Sequence, residues 1–170
     1  LVLNNLVAWA FTTQKIFLKS DGIAWRPFVH IEDISRAFIA LLEAPLDVIH
    51  GKAYNVGQTS ENYQVRDIAR IVEEVVPGCE VAYAEGAGTD SRNYRVNCDL
   101  ICKDVPAFKP KWTARKAAEE IYTAILRHGL TLGEFEGERY MRLARLKKYI
   151  SNGKMSSDLR WINDQVSHGV

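Results

Sequence analysis

The chain has 170 residues, of which 47% are hydrophobic and 25% are charged, and its formal net charge at pH 7 is +1. This length and composition are those of an ordinary globular protein with a hydrophobic core. A charge so close to neutral creates no field that would attract nucleic acid or an anionic membrane surface, so neither is expected as a partner. Any binding function must therefore reside in local sites.

The sequence pattern of the amino-terminal part predicts one helix and two extended segments. Apolar residues recur at helical spacing over residues 3–11. Residues 16–18 form an apolar run that predicts a short strand, and residues 24–31 are expected to be extended, with Pro27 placing them at a sheet edge or in a loop. The chain starts at Leu1 without methionine and enters the helical pattern at once, which predicts a fragment cut within a domain.

The central part predicts further alternation of helices and strands. An apolar stripe predicts a helix over residues 31–42, with acidic residues in its first turn and Pro45 after its end. Residues 53–56 resemble a short buried strand, and residues 64–76 a helix that stops at a proline-glycine pair. Residues 80–84 then predict another strand.

The carboxy-terminal part is predicted to be mainly helical. Residues 85–90 are expected to form a glycine-containing loop. Thr113 is expected to cap a helix that runs through Ile125 and ends at Gly129, and a last helical pattern covers residues 134–150. Strands separated by helices of this length indicate an α/β architecture.

The cysteines and the hydropathy pattern predict a cytoplasmic protein. Cys79, Cys98 and Cys102 are odd in number and lack the spacing of a disulfide framework, which favours a reducing compartment. Cys98 and Cys102 are four residues apart, as two metal ligands on one helix face could be, but no second pair and no nearby histidine completes a zinc site, so structural thiols are favoured. No apolar run approaches the roughly 20 residues that span a bilayer.

Five segments occur in an order and spacing typical of one enzyme family. Residues 25–34 read WRPFVHIEDI, and about twenty residues later residues 54–57 read YNVG. Residues 4–6 read NNL and residues 90–96 read DSRNYRV, while the FKP that begins at Phe108 parallels the segment before a terminal helix. Together these segments resemble the extended short-chain dehydrogenases, which include nucleotide-sugar epimerases, 4,6-dehydratases and decarboxylases.

The resemblance implies an α/β fold that is the C-terminal part of a Rossmann-like (extended short-chain dehydrogenase) fold, with the small substrate-binding subdomain. Residues 1–170 would form the substrate-binding portion, and the N-terminal dinucleotide-binding part would be absent. The family holds the cofactor pyrophosphate on a glycine-rich turn, but the eleven glycines contain no G-x-G-x-x-G pattern. No tyrosine is followed four residues later by the lysine of the catalytic pair, so no catalytic residue is assigned.

A nucleotide sugar presents two phosphates, a ribose and sugar hydroxyls, which guanidinium and amide groups can bind. For Arg26, phosphate binding is favoured over stacking on Trp25 or pairing with a carboxylate. For Arg92, phosphate binding and a solvated pair with an aspartate are both left open. Arg95 is an alternative to Arg92 as the arginine that binds phosphate. The asparagines could instead cap a helix, and Asn5 is favoured for ligand contact. The resemblance implies six substrate-binding residues: Asn4, Asn5, Arg26, Asp90, Arg92 and Tyr94.

Two other features are expected to be structural. His30 directly precedes the helix that contains Asp33, where a hydrogen bond to the helix terminus is favoured over acid or base catalysis. The basic residues between Arg139 and Lys148 are expected to form a solvated helix face, because interleaved aromatic residues and a strongly basic pI are lacking.

The resemblance implies an NAD(P)-dependent nucleotide-sugar epimerase or dehydratase. The full-length parent would use NAD or NADP to oxidise the sugar at C4 by hydride transfer, with a tyrosine as base, and would return the hydride after rearrangement. The chain alone is expected to bind no cofactor, to be inactive, to bind a nucleotide sugar and to form a homo-oligomer. The alternative is a non-catalytic binding or scaffold protein that kept the fold.

Overall fold

The computed structural model describes residues 2–88 and 90–162. The chain divides into two compact units, Leu1–His128 and Gly129–Val170. All six of the predicted substrate-binding residues lie in the larger unit. The assignment of residues 1–170 to one substrate-binding portion stays a prediction.

The larger unit mixes helices and strands, so the predicted α/β class is confirmed. Its helices and strands, in chain order, are α1 (Val2–Thr13), β1 (Lys15–Ser20), β2 (Trp25–Pro27), α2 (Ile31–Glu43), α3 (Leu46–Ile49), β3 (Asn62–Gln64), α4 (Val65–Val75), β4 (Glu80–Gly88), α5 (Asp99–Asp104) and α6 (Ala114–His128). The smaller unit contains α7 (Leu132–Glu136), α8 (Arg142–Ser151) and an isolated antiparallel bridge between Met155 and Trp161.

Two short sheets organise the larger unit. Strands β1 and β4 pair in parallel, with Lys15 opposite Glu80, and strands β2 and β3 pair antiparallel, with Arg26 opposite Tyr63. Pro27, which cannot donate a backbone hydrogen bond, lies at the end of β2, as expected from its place at a sheet edge.

The main core forms because α1, α4 and α6 each present apolar residues at helical spacing to the parallel sheet. Leu3, Val7 and Ala10 of α1 are buried one or two turns apart, and they pack with Ile68 and Val72 of α4. A second core cluster joins the inner side of α2 to α5 and the residues after it. Its buried members are Ala37, Ala40, Ile101, Val105 and Phe108.

The predicted strand at residues 53–56 is wrong. Tyr54 and Val56 pack against the second core cluster, which explains the apolar alternation that suggested a strand. However, the backbone of residues 53–56 makes no backbone hydrogen bond to any residue that the structure describes. A strand needs a neighbouring strand to satisfy its N–H and C=O groups, and none lies beside this segment in the described part of the chain.

Two predicted boundaries are also wrong. Strand β4 continues to Gly88, so residues 85–88 are not a loop; a shift in register lets Gly88 pair with Ser20. Thr89, within the predicted loop, lies outside the described residues. The helix predicted over residues 134–150 is two helices, because Gly137 caps the end of α7.

Candidate substrate-binding site

A cavity of about 730 Å³ opens where the amino-terminal end of α1 meets β2 and the start of α2. Asn4 of α1 and Arg26 of β2 contribute polar groups to its lining, and Phe28, Ile34 and Ile68 contribute apolar surface. An apolar pocket with a few convergent polar groups is the usual form of a small-molecule site.

Arg26 connects this cavity to the segment that follows β4. Its Nη2 donates to Asp90 Oδ2 at 2.6 Å, across 64 residues of sequence. Its Nη1 donates to the Trp25 carbonyl at 2.7 Å and to the carbonyl of Arg92, and the guanidinium lies 5.5 Å from the centre of the Tyr94 ring. The side chain is only 14% exposed, so protein groups occupy most of this arginine fork.

Asp90 lies between two guanidinium groups. Its Oδ1 accepts from the Arg92 backbone N–H at 3.0 Å and from Arg92 Nε at 3.1 Å, while its Oδ2 accepts from Arg92 Nη2 at 3.1 Å and from Arg26. The hydrogen bonds from Arg92, above all, lower the pKa of Asp90 to about 2. The carboxylate is therefore ionised throughout the physiological pH range.

Arg92 is the arginine of this group that faces solvent. Its side chain is 80% exposed, and its Nη1 makes no hydrogen bond within the described residues. Arg95, the alternative arginine for phosphate binding, lies over the Trp25 ring, with its guanidinium carbon 4.4 Å from the ring centre. Arg92 therefore presents a guanidinium that can accept an anion while one of its edges stays paired with Asp90.

The structure brings most of the predicted residues together, but it separates the two asparagines. Arg26, Asp90, Arg92 and Tyr94 form one contact group, called here the arginine cluster. Both asparagines are exposed, but Asn4 lines the same cavity as Arg26, whereas Asn5 is not part of that lining. Both asparagines lie inside α1, so neither caps its start.

Sequence reasoning missed a buried asparagine that anchors the loop carrying Arg92. Asn62 of β3 accepts from the Val96 N–H at 2.8 Å and donates to the Val96 carbonyl at 2.9 Å. Asn93 reaches in the opposite direction, and its Oδ1 accepts from the Trp25 N–H at 3.0 Å. These contacts hold the loop against the β2-β3 sheet, and no local sequence pattern indicates them.

The expectation that His30 is structural is confirmed. Its Nδ1 accepts from the Glu32 N–H at 3.2 Å and thereby caps α2, while its Nε2 lies 2.9 Å from Glu120 Oε2. The ring stacks on Trp112, with 3.8 Å between ring centres. Nδ1 is therefore engaged in capping α2, and Nε2 connects the start of α2 to Glu120 of α6.

Two buried carboxylates fix the segment before α6. Asp33 accepts from the N–H groups of Lys111 at 3.0 Å and Trp112 at 2.9 Å, and from Arg36 at 3.0 Å. Glu61 Oε2 accepts from the Ala114 N–H and from the Tyr63 hydroxyl, both at 2.9 Å. Burial, followed by this hydrogen bond, raises the pKa of Tyr63 to about 12, so the phenol stays protonated.

The remaining candidate residues offer little chemistry. Burial raises the pKa of the Cys98 and Cys102 thiols, which disfavours the thiolate that a metal or an electrophile requires. Over residues 2–88 and 90–162, no group of three or more His, Cys, Asp or Glu side chains could hold a metal ion, and no helix is both long and apolar enough to cross a membrane.

The basic residues between Arg139 and Lys148 are exposed, and some of them pair with acidic residues. Arg139 contacts Glu134 at 2.9 Å and Lys148 contacts Glu138 at 2.6 Å, as expected for a solvated surface.

Comparison with known proteins gives a family match and several similar structures. Residues 2–57 match the NAD dependent epimerase/dehydratase family. The PbgP3 protein from Burkholderia pseudomallei is 20% identical, with a TM-score of 0.58 over 75% of this chain and 39% of that chain. ADP-L-glycero-D-manno-heptose-6-epimerase from Helicobacter pylori is 20% identical, with a TM-score of 0.59 over 75% of this chain and 37% of that chain. L-threonine dehydrogenase from Phytophthora infestans is 16% identical, with a TM-score of 0.59 over 71% of this chain and 40% of that chain.

The chain thus spans about two fifths of the length of the structures that it matches. At these identities the likeness is one of fold. The fold expected from the sequence is confirmed: this is a Rossmann-like α/β chain, and its residues 2–57 match the NAD dependent epimerase/dehydratase family, as the resemblance drawn from the sequence implies.

Proposed function

We propose that this chain is the substrate-side portion of an NAD(P)-dependent nucleotide-sugar epimerase or dehydratase, and that it binds the pyrophosphate of the nucleotide sugar. The observation that carries the proposal is the arginine cluster, which lies beside the cavity lined by Asn4. Arg26 at the wall of a partly apolar cavity, and Arg92 paired with the same carboxylate as Arg26, match a ligand that has two phosphates and a ribose.

Each residue of the cluster has a distinct role in this proposal. Arg92 offers the exposed guanidinium to phosphate, and Asn4 offers an amide from the cavity wall. Arg26 holds the loop in place and binds phosphate where a ligand oxygen competes with Asp90 for its Nη2. Asp90 is a carboxylate acceptor suited to a ribose hydroxyl, and Tyr94 supplies a ring face beside Arg26.

The residues of this chain do not fit the dinucleotide cofactor. The sequence contains no G-x-G-x-x-G turn. Three glycines with positive φ face protein atoms: an added Cβ would meet Arg66 at Gly22, Cys98 at Gly57 and Gln14 at Gly78. The space beside Gly51, Gly129 and Gly153 is open, but none of these glycines belongs to a glycine-rich turn. We therefore assign no step of hydride transfer to this chain, and the cofactor and the catalytic base belong, in this proposal, to the remainder of a longer parent enzyme.

The fold alone does not select the substrate, since one similar structure is an L-threonine dehydrogenase. An amino-acid substrate lacks phosphate, and its single carboxylate would occupy at most one guanidinium group. A scaffold protein likewise predicts no preference for diphosphates. Binding of the pyrophosphate group is thus the property that distinguishes the proposed function from both alternatives.

Titration calorimetry of the chain with a uridine diphosphate sugar, an adenosine diphosphate sugar and inorganic pyrophosphate tests the proposal. We expect saturable binding that Arg92→Ala and Arg26→Ala each weaken about ten- to a hundredfold, the usual cost of a charge-assisted bidentate contact. Arg26→Lys should recover only part of the loss, because an ammonium cannot reproduce the planar fork.

Arg70→Ala is the matched control, since Arg70 is an exposed arginine on α4 that does not line the cavity. It should leave the affinity unchanged. The proposal fails if none of the diphosphates binds or if Arg70→Ala causes the same loss. Unchanged affinity in Arg26→Ala with a lowered Tm would instead assign Arg26 a purely structural role.

A further inference from the structure

The cavity assigned to the substrate has charges of opposite sign in its wall. Among the described residues that line it, one is basic, Arg26, and one is acidic, Glu120 of α6. The Glu120 side chain is 48% exposed, whereas that of Arg26 is mostly covered. Most of the remaining lining is apolar, including Phe28, Ile34 and Ile121. A ligand that fills the cavity therefore meets a guanidinium at one part of the wall and a carboxylate at another.

His30 holds the Glu120 carboxylate in place. Its Nδ1 accepts a hydrogen bond from the Glu32 N–H, so the proton of the neutral ring lies on Nε2. Nε2 therefore donates to Glu120 Oε2, at 2.9 Å. The ring cannot turn freely, because it stacks on Trp112 and is only 12% exposed. The position of the carboxylate in the cavity wall is thus fixed from the protein side.

The second carboxylate oxygen of Glu120 is available to a ligand. Its Oε1 makes no hydrogen bond to any residue that the structure describes. An ionised carboxylate has acceptor sites only, so a neighbouring ligand group satisfies it by donating a hydrogen bond, as a hydroxyl or an ammonium group does. A carboxylate on the ligand would instead place two like charges together in a cavity that excludes much of the solvent, which is unfavourable.

The proposed function determines which end of a nucleotide sugar reaches Glu120. Asp90, the acceptor suited to the ribose, contacts Arg26 but is not part of the cavity lining. With the pyrophosphate at Arg26, the nucleoside lies towards Asp90, and the hexose on the other phosphate enters the cavity. Arg26 and His30 are four residues apart, so their Cα atoms are at most about 14 Å apart. The hexose is therefore the part of the ligand that meets the carboxylate beside His30.

We propose that Glu120 is a specificity-determining residue of this cavity. It selects a hexose that presents hydrogen-bond donors, and it excludes a hexose that carries a carboxylate, such as a uronic acid. This inference rests on the proposed function, because it places the pyrophosphate at Arg26. It narrows the substrate class to nucleotide sugars whose sugar is not acidic.

Titration calorimetry of the chain with uridine diphosphate (UDP), UDP-glucose and UDP-glucuronate tests the inference. The two sugars differ only at C6, where glucuronate has a carboxylate and glucose a hydroxymethyl group. The wild-type chain should bind UDP-glucose about five- to tenfold more tightly than UDP-glucuronate. Glu120→Gln removes the charge and keeps the size of the side chain, so it should bring this ratio close to one and leave the affinity for UDP unchanged. Glu120→Lys should reverse the preference.

Glu119→Gln is the matched control. Glu119 precedes Glu120 on α6 and is also exposed, but it does not line the cavity. The control changes the net charge of the chain by the same amount as Glu120→Gln, so it removes any general effect of charge on an anionic ligand. It should leave the ratio of the two affinities at the wild-type value.

The outcomes separate this inference from the proposed function. A wild-type chain that does not discriminate, a ratio that Glu120→Gln leaves unchanged while the Tm falls, or an equal change in Glu119→Gln would each overturn the role of Glu120. In those cases, UDP binding that Arg92→Ala weakens would still support the proposed function. If neither UDP nor either UDP sugar binds, the inference is also overturned, and a titration with inorganic pyrophosphate then shows whether the proposed function fails with it.

Discussion

Asp33 and Asp90 are both paired with arginines in the larger unit, yet their surroundings differ in kind. Asp33 is buried, and two of its donors are the backbone N–H groups of Lys111 and Trp112. Asp90 is partly exposed, and its side-chain donors belong to Arg26 and Arg92. Backbone donors cannot leave without moving the chain, whereas a guanidinium can exchange one anion for another.

The comparison shows how a structural carboxylate can be separated from one in a ligand site. Both residues are Asp-Arg pairs by distance alone. Burial and the identity of the donors make the difference: the Asp33 group ties α2 to the segment before α6, and the Asp90 group borders the cavity through Arg26. An arginine-carboxylate distance by itself therefore says little about function.

The largest expected effect is that of Asp33→Ala. This change removes the acceptor for two backbone N–H groups and for Arg36, and each unsatisfied buried donor costs about 1–3 kcal/mol. We expect the free energy of unfolding, measured by urea denaturation, to fall by roughly 3–5 kcal/mol. Asp90→Ala should cause a much smaller loss. Equal losses in the two variants would show that the distinction between the two carboxylates is wrong.

A smaller effect concerns the titration of Asp90. Hydrogen bonds from Arg92 lower its pKa from 3.8 to about 2. Because the folded-state pKa is depressed, the stabilising contribution of this carboxylate is complete above about pH 4 and is lost as the pH falls towards 2. A carboxyl ¹³C NMR titration should therefore give Asp90 a midpoint near 2 in the wild-type chain.

The same titration distinguishes the surroundings of Asp90 from those of Asp33. Arg92→Ala should move the Asp90 midpoint upwards, and Arg36→Ala, which removes an arginine from the Asp33 group instead, should leave it in place. A wild-type midpoint near the ordinary value, or one that does not respond to Arg92→Ala, would contradict the geometry described for the arginine cluster.

The sequence predicted those parts of the fold that depend on local patterns. Helices α2, α4 and α6 follow from amphipathic spacing, a proline or glycine after their ends and a capping residue such as Thr113. The order of the matched segments also predicted that Arg26 and the residues from Asp90 to Tyr94 belong to one site, and these residues are in contact although 64 residues separate Arg26 from Asp90.

Contacts that depend on distant partners were not predictable in this way. Asn62 and Asp33 give no local signal, because their partners, Val96 and Lys111, are 34 and 78 residues away. Residues 53–56 show the opposite error: their side chains alternate as in a strand, but strand formation depends on a neighbour that a local pattern does not specify.

The most direct test of the central proposal is a pair of calorimetric titrations of the wild-type chain, one with a nucleotide diphosphate sugar and one with NAD and NADP. The account predicts saturable binding of the nucleotide sugar and no binding of either dinucleotide at physiological concentrations, because the arginine cluster is present and the glycine-rich turn is not. Micromolar binding of NAD or NADP, or no binding of the nucleotide sugar, would contradict it.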